Sequence, residues 1–307
     1  MTYNVTENLL TSQIAILIMI LVGFILAKVK LVNVEFRKYL TDLVIYFILP
    51  CNIIKSFMME FDMQILRACL AVLVVSAITQ ILTFGAGKLL YLRVDSRKQC
   101  SLQYATMVSN AGFLGNPIVE GLFGAQGLLY ASVYLIPQRI MMWSVGVTCF
   151  TGSKGDGVLK KVLTHPCIVA VGIGLVLMIT QLQLPAWLDK PLTFAANCNT
   201  ALSLIVIGGI LAEASPKRMF HKTALYFCAI RLVAIPLIVL AGCFCAGIRG
   251  SVLEATTILA GMPAALTTVM LASKYGRDEE FAVSLVFLST LFSIVTIPAL
   301  CLLMMAL

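Results

Sequence analysis

Stretches of about 20 apolar residues, separated by short clusters of charge, recur along the whole chain, and this alternation constrains the fold more than any other feature. A helix that crosses a bilayer needs a stretch of that length, because each residue advances it by only about 1.5 Å. Charged residues make up 12% of the chain, against roughly 25% in a soluble domain, while 60% are hydrophobic and the mean hydropathy is +1.00. A soluble fold of 307 residues has too little interior to hide so much apolar surface. Soluble enzymes, nucleic-acid binders and disordered proteins are excluded on this ground.

Apolar windows read against breaks at charges, Pro and Gly predict an all-α polytopic membrane protein with ten spans. They run over 9–29, 38–59, 65–90, 99–123, 127–150, 164–182, 190–213, 222–246, 252–274 and 279–304. The net charge of +8 sits between the spans rather than along one face, so it reports orientation in a bilayer, not affinity for nucleic acid. Connections on one side hold 16 of the Lys and Arg residues, in clusters such as Lys28, Lys30, Arg37 and Lys38 or Lys154, Lys160 and Lys161. The other side holds four: Lys55, Arg67, Lys190 and Arg249. The rich side is cytoplasmic by the positive-inside rule, which predicts a plasma-membrane protein with both termini outside. The run from Leu9 is preceded by Glu7 and by no Lys or Arg, the reverse of a cleavable signal peptide, so it is read as a permanent span. Asn4-Val5-Thr6 fits a glycosylation acceptor but carries no weight. Ten cysteines scattered through apolar runs lack metal-ligand spacing and read as small packing residues; no cofactor is expected.

Ten divides into five plus five, and an odd number of spans per half places the halves in opposite orientations. Residues 1–150 form the first five-helix repeat, 151–163 a cytoplasmic loop, and 164–307 the second, inverted repeat. Cys51-Asn52 in span 2 has a counterpart in Cys198-Asn199 of span 7, and Pro117 in span 4 in Pro263 of span 9. Asn52 lies 65 residues before its proline and Asn199 lies 64 before its own.

Spans 4 and 9 are expected to be broken. Pro117 has no N–H and crowds the preceding turn, and Gly115 with the pre-proline residue Asn116 favours non-helical backbone. Gly261-Met262-Pro263, followed by Ala264 and Ala265, repeats the pattern. Free backbone groups inside a membrane are tolerated only against protein or a water-filled cavity, so the two breaks are expected to cross at mid-membrane beside one. With Pro117 and Pro263 each opening a second half-helix, two N-termini would face the centre and favour an anion, most simply a carboxylate. Asn110, Asn116, Thr267 and Thr268 offer polar handles nearby.

Two arginines lie inside spans. Arg139, about 12 residues or roughly 18 Å into span 5, is too deep to reach an interface, and serves either as counter-charge to an anionic substrate or as a partner of Glu120. Arg231 is shallower and is expected to reach the cytoplasmic surface. Glu120, on the turn after Pro117, is the coupling candidate as a proton carrier, or else a salt-bridge partner or an outward-end residue. The amides of Asn52 and Asn199 must find partners within apolar helices, as interhelical glue or as part of the site.

At these residues the chain resembles the auxin efflux carrier family, including its small prokaryotic permeases. Asn110, Gly115 and Pro117 match the spacing in the family's fourth span, and GMPAALTTVMLASKYG at 261–276 is similar to its ninth. The resemblance covers essentially the whole chain. It implies a dimerising scaffold of spans 1, 2, 6 and 7, a moving transport domain of spans 3–5 and 8–10, and a substrate seated beside the crossed helices. Plant members carry an acid and base pair on span 3, where residues 65–90 here have Arg67 and Lys88 and no acid; they also have an apolar residue at the position of Asn116 and a long cytoplasmic insertion. Prokaryotic relatives are assigned to malate- or malonate-like acids, and the resemblance implies that class here. It also implies the partners of such a carrier: a small organic anion, membrane lipid and a second copy of the chain.

No HExxH, GxGD or Walker A pattern is present, so catalysis has nothing to stand on. The expected function is secondary transport of small organic anions, auxin-like acids included, by alternating access of elevator type. The substrate-binding set is Asn110, Gly115, Asn116, Pro117, Met262, Pro263, Ala264, Thr267, Asn52 and Arg139, with Glu120 as coupling candidate. A sodium-coupled symporter of bile-acid-carrier type, or a channel or receptor, would use the same cavity.

Overall fold

The computed structural model describes residues 14–15, 18–58, 62–151, 164, 166–213 and 220–306. The Asn4-Val5-Thr6 motif, the start of the first span and nearly all of the central loop lie outside these. Every regular element among the described residues is helical. In chain order they are α1 (Ile18–Lys28), α2 (Val34–Phe57), α3 (Met63–Leu90), α4 (Ser96–Met107), α5 (Ala111–Met141), α6 (Pro166–Thr180), α7 (Ala186–Asn197), α8 (Asn199–Glu213), α9 (Lys222–Cys245), α10 (Gly250–Ala260), α11 (Thr267–Lys274) and α12 (Glu279–Met305). A π-turn, Met142–Gly146, and a short helix, Val147–Thr151, prolong α5.

Six helical stretches among the described residues are long and apolar enough to cross a membrane: α2, α3, α5, α9, α12 and Ala186–Gly209, which joins α7 to α8. Their surfaces are inverted relative to a soluble protein. On α3, Val74, Ile78, Ile81 and Leu82 are exposed while Ser76, Thr79, Gln80 and Thr83 are buried. That arrangement costs free energy in water and is stable in hydrocarbon, where buried hydroxyls bond the chain. Ser76 donates to the Tyr134 carbonyl at 2.6 Å and Thr83 to that of Thr79 at 2.8 Å.

Proline leaves a repeated mark on these helices. Pro50, Pro117 and Pro236 each stand two residues after a five-residue π-turn: Val44–Ile48, Ala111–Gly115 and Ile230–Ala234. A proline ring crowds the carbonyl four residues back and offers it no N–H, and the widened turn takes up that crowding without ending the helix. Asn33 and Asp278 cap α2 and α12, each accepting a bond from the backbone N–H three residues on.

The chain divides into two compact units. The first comprises residues 1–70, 116–133 and 163–213. Within it, glycine lets helices approach to backbone contact: a Cβ on Gly208 would lie 2.0 Å from the Ile20 carbonyl oxygen, and one on Gly23 would lie 2.3 Å from that of Ile205. Helix α2 packs on α6 and α7, and Lys55 pairs with Asp189 at 2.6 Å. Gly124, in the interval expected to separate spans 4 and 5, has φ 62° and ψ −148°, which breaks the helical path of α5. Gly127 then comes so close to Val119 that a Cβ would lie 2.3 Å from its carbonyl oxygen.

The second unit comprises residues 71–115, 134–162 and 214–307. One of its cores joins Tyr104, Met107 and Val108 to Phe150, Ala265, Leu271 and Ala282; another joins Ile235, Val239 and Leu240 of α9 to Leu253 and Ala260 of α10. All ten cysteines are free, and six are buried as small apolar side chains.

Candidate functional site

The site is built within the second unit, where two helices stop and restart. Helix α4 ends at Met107 and helical structure resumes at Ala111; α10 ends at Ala260 and α11 starts at Thr267. The intervening segments run antiparallel and pair through their main chains. Asn110 N–H donates to the Pro263 carbonyl at 2.7 Å, Ala265 N–H donates to that of Val108 at 3.2 Å, and Ser109 bridges Ala264. The two interruptions therefore satisfy each other's backbone groups.

Side chains complete this pairing. Gln138 clasps Ser109 twice, donating to its carbonyl at 2.7 Å and accepting from its hydroxyl at 2.8 Å. Ser289 of α12 accepts from Ala264 N–H at 3.1 Å, and Tyr104 donates to the Thr267 hydroxyl at 2.8 Å. Arg231 is 2% exposed and donates from Nε to the Met262 carbonyl at 3.0 Å and from Nη1 to the Thr106 carbonyl at 3.1 Å. The Thr106 carbonyl lies in the last turn of α4 and the Met262 carbonyl just beyond the end of α10, at helix C-termini where dipoles are negative and a cation is favoured. Among the described residues no carboxylate pairs with Arg231. The expectation that it reaches the cytoplasmic surface is corrected: depth along a helix does not determine which way a side chain turns.

Of the expected site residues, Asn110, Gly115, Met262, Pro263, Ala264 and Thr267 converge here. Gly115 packs closely against α10, since a Cβ there would lie 2.8 Å from Leu259 Cδ2 and 3.2 Å from Met262 Cγ and would oblige those side chains to shift. Arg139, next to the clasping Gln138, is 7% exposed, and its Nη1 is buried with no hydrogen-bond partner among the described residues. Thr268 is fully buried with its hydroxyl likewise unpaired.

The interruption in the fourth span falls at 108–110, seven residues before Pro117 at its near edge. Pro117 instead sits in the first turn of the α-helical stretch that follows the Ala111–Gly115 π-turn, so it does not open the half-helix. Pro263 lies within the interruption, four residues before α11 begins.

Asn116, Pro117, Asn52 and Glu120 belong to the first unit. There the Glu120 carboxylate accepts from Asn52 Nδ2 at 3.3 Å and from the Thr200 hydroxyl at 3.4 Å. Among the described residues neither Glu120 nor Arg139 takes part in an ion pair.

Gln138, Arg231, Ser289 and Tyr104 were not singled out as site residues from sequence. A signal existed for the first two, because polar and ionisable side chains inside apolar spans are expensive and need a reason.

Arrested helices paired through their backbones inside an apolar, inside-out protein suit handling of a polar solute in a membrane. Comparison with known proteins agrees. The family model described as membrane transport protein matches residues 9–161 and 156–301. An uncharacterized transporter of Methanothermobacter thermautotrophicus is 26% identical over 93% of this chain and 95% of its own. Another, of Methanocaldococcus jannaschii, is 24% identical over 92% and 94%. A protein of Rhizobium meliloti named as a candidate malonate transporter is 20% identical over 92% and 91%. The chain is thus a multi-pass membrane transporter and not an enzyme, and it belongs to the membrane transport protein family, the auxin efflux carrier family that its sequence resembles.

Proposed function

We infer that the protein is a secondary active transporter of small organic anions, carboxylates such as malate or malonate, working by alternating access. The observation that carries this reading is the antiparallel pairing of residues 108–110 with 263–265, from which α5 and α11 each start anew. A helix start leaves backbone N–H groups without intrahelical partners and carries partial positive charge, which favours a carboxylate. Arg139, buried with an unpaired Nη1, supplies a full positive charge in the same unit. The candidate malonate transporter among the relatives supports a carboxylate over a neutral solute.

The accompanying architecture is ten spans in two inverted repeats, broken at the fourth and ninth, in the plasma membrane with both termini outside. It functions as a homodimer whose scaffold of spans 1, 2, 6 and 7 stays fixed while spans 3–5 and 8–10 carry the substrate as an elevator. Division of the chain into two compact units, residues 1–70, 116–133 and 163–213 in one and 71–115, 134–162 and 214–307 in the other, supports that assignment of roles except at 116–133, which groups with spans 1, 2, 6 and 7. Glu120 is the coupling group.

The test is uptake of labelled mono- and dicarboxylates into proteoliposomes, with and without pH and sodium gradients. Saturable uptake accelerated by the same acid preloaded inside is the expected result. Absence of uptake of every carboxylate, or stepwise single-channel currents, would overturn the reading.

A further inference from the structure

The first unit contains a polar cluster, Asn52, Glu120 and Thr200, apart from the paired interruptions of the second unit. Glu120 is held by Asn52 and Thr200 and takes part in no ion pair among the described residues; Lys55, three residues after Asn52, is committed to Asp189. Asn116 lies one helical turn before Glu120, on the same face of α5, and Asn199 directly precedes Thr200 at the start of α8. These two amides are 0% and 1% exposed, and in both the side-chain nitrogen and oxygen lack a hydrogen-bond partner. Buried amides with neither atom satisfied are rare and mark a missing partner.

The chemistry of the cluster identifies that partner. Its acceptors are the Glu120 carboxylate, the Thr200 hydroxyl and the amide oxygens of Asn52 and of Asn116 on the same face of α5, with the Asn199 amide one residue from Thr200, hard oxygens carrying a single negative charge. An anion would be repelled by Glu120. A proton would neutralise Glu120 and leave both orphaned amide oxygens as they are. A divalent ion draws on several carboxylates, and no group of three or more His, Cys, Asp or Glu able to hold a metal occurs among the described residues. We propose that Asn52, Asn116, Glu120, Asn199 and Thr200 form a binding site for a monovalent alkali cation. Half a turn of an asparagine amide about its terminal bond turns its oxygen toward the ion. This inference specifies the coupling role given to Glu120 above, and rests on that reading for the coupling but not for the binding.

The experiment measures thermal unfolding of the purified full-length protein in detergent across a sodium chloride titration, with choline chloride holding ionic strength constant. Melting temperature should rise with the logarithm of sodium concentration in the wild type. Glu120→Gln and Thr200→Val should each weaken the apparent affinity about tenfold or more, because both remove oxygen that meets the ion. A wild-type melting temperature indifferent both to sodium and to potassium titrated in the same way overturns the site whether or not the variants fold, as does an equal response in Glu120→Gln. Because no transport is measured, sodium-dependent stabilisation without carboxylate uptake would support the cation site while refuting the transport reading.

Discussion

Replacing Arg231 with Met tests whether the paired interruptions are held from outside or hold themselves. The methionine fills much of the same space but donates nothing, so the carbonyls of Thr106 and Met262 lose charge-assisted bonds of 3.1 and 3.0 Å in a fully buried setting. An unpaired buried acceptor costs about 1–3 kcal/mol, which gives about 2–6 kcal/mol for two. Relief from desolvating a guanidinium takes back part of this and leaves a net loss of about 2–4 kcal/mol. At about 2 °C per kcal/mol the melting temperature should fall by about 4–8 °C. Six buried free cysteines provide the assay, since a maleimide dye reaches them only as the protein unfolds in detergent. Arg231→Lys should fall between the two, because an ammonium is a point donor and cannot span both carbonyls as the planar fork does. Arg231→Met melting within about 1 °C of the wild type, with undiminished uptake, would refute the reasoning.

Gln138→Leu removes both bonds to Ser109 and should cost about 1–3 kcal/mol in the same melting assay, with a matching loss of uptake rate. Gly208→Ala drives a methyl into the Ile20 carbonyl and should destabilise by about 1–3 kcal/mol, whereas Gly172→Ala, with nothing within 4 Å, should be silent. Pro117→Ala should retain most uptake, because the neighbouring interruption is fixed by main-chain pairing at 108–110 rather than by the proline. Complete loss of transport in a folded Pro117→Ala protein would contradict this.

The helical, membrane-embedded character was legible because it depends on run length and composition, which a linear chain displays directly. The interruption before Thr267 was legible for a similar reason, since Gly261 and Pro263 lie inside it. Its partner was misplaced because Pro117 attracted the inference, while the residues that actually leave the helix, Val108, Ser109 and Asn110, carry no breaker at all. They leave because an antiparallel segment distant in sequence supplies their hydrogen bonds, and no local pattern records that. Arg231 was misjudged on related grounds: counting from Lys222 gives its depth, but the carbonyls it reaches lie 31 and 125 residues away. The link between Glu120 and Asn52, 68 residues apart, is equally invisible to spacing.

The junction of the two arrested helices is written in atoms that every amino acid shares. Amide hydrogens of Asn110 and Ala265 and carbonyl oxygens of Val108 and Pro263 survive any replacement at positions 108, 110 and 265 except a proline that deletes a donor. Side chains at these positions can therefore change while the junction keeps its geometry, so if the proposed site lies beside it, selectivity is free to evolve on residues other than those that hold the helices together.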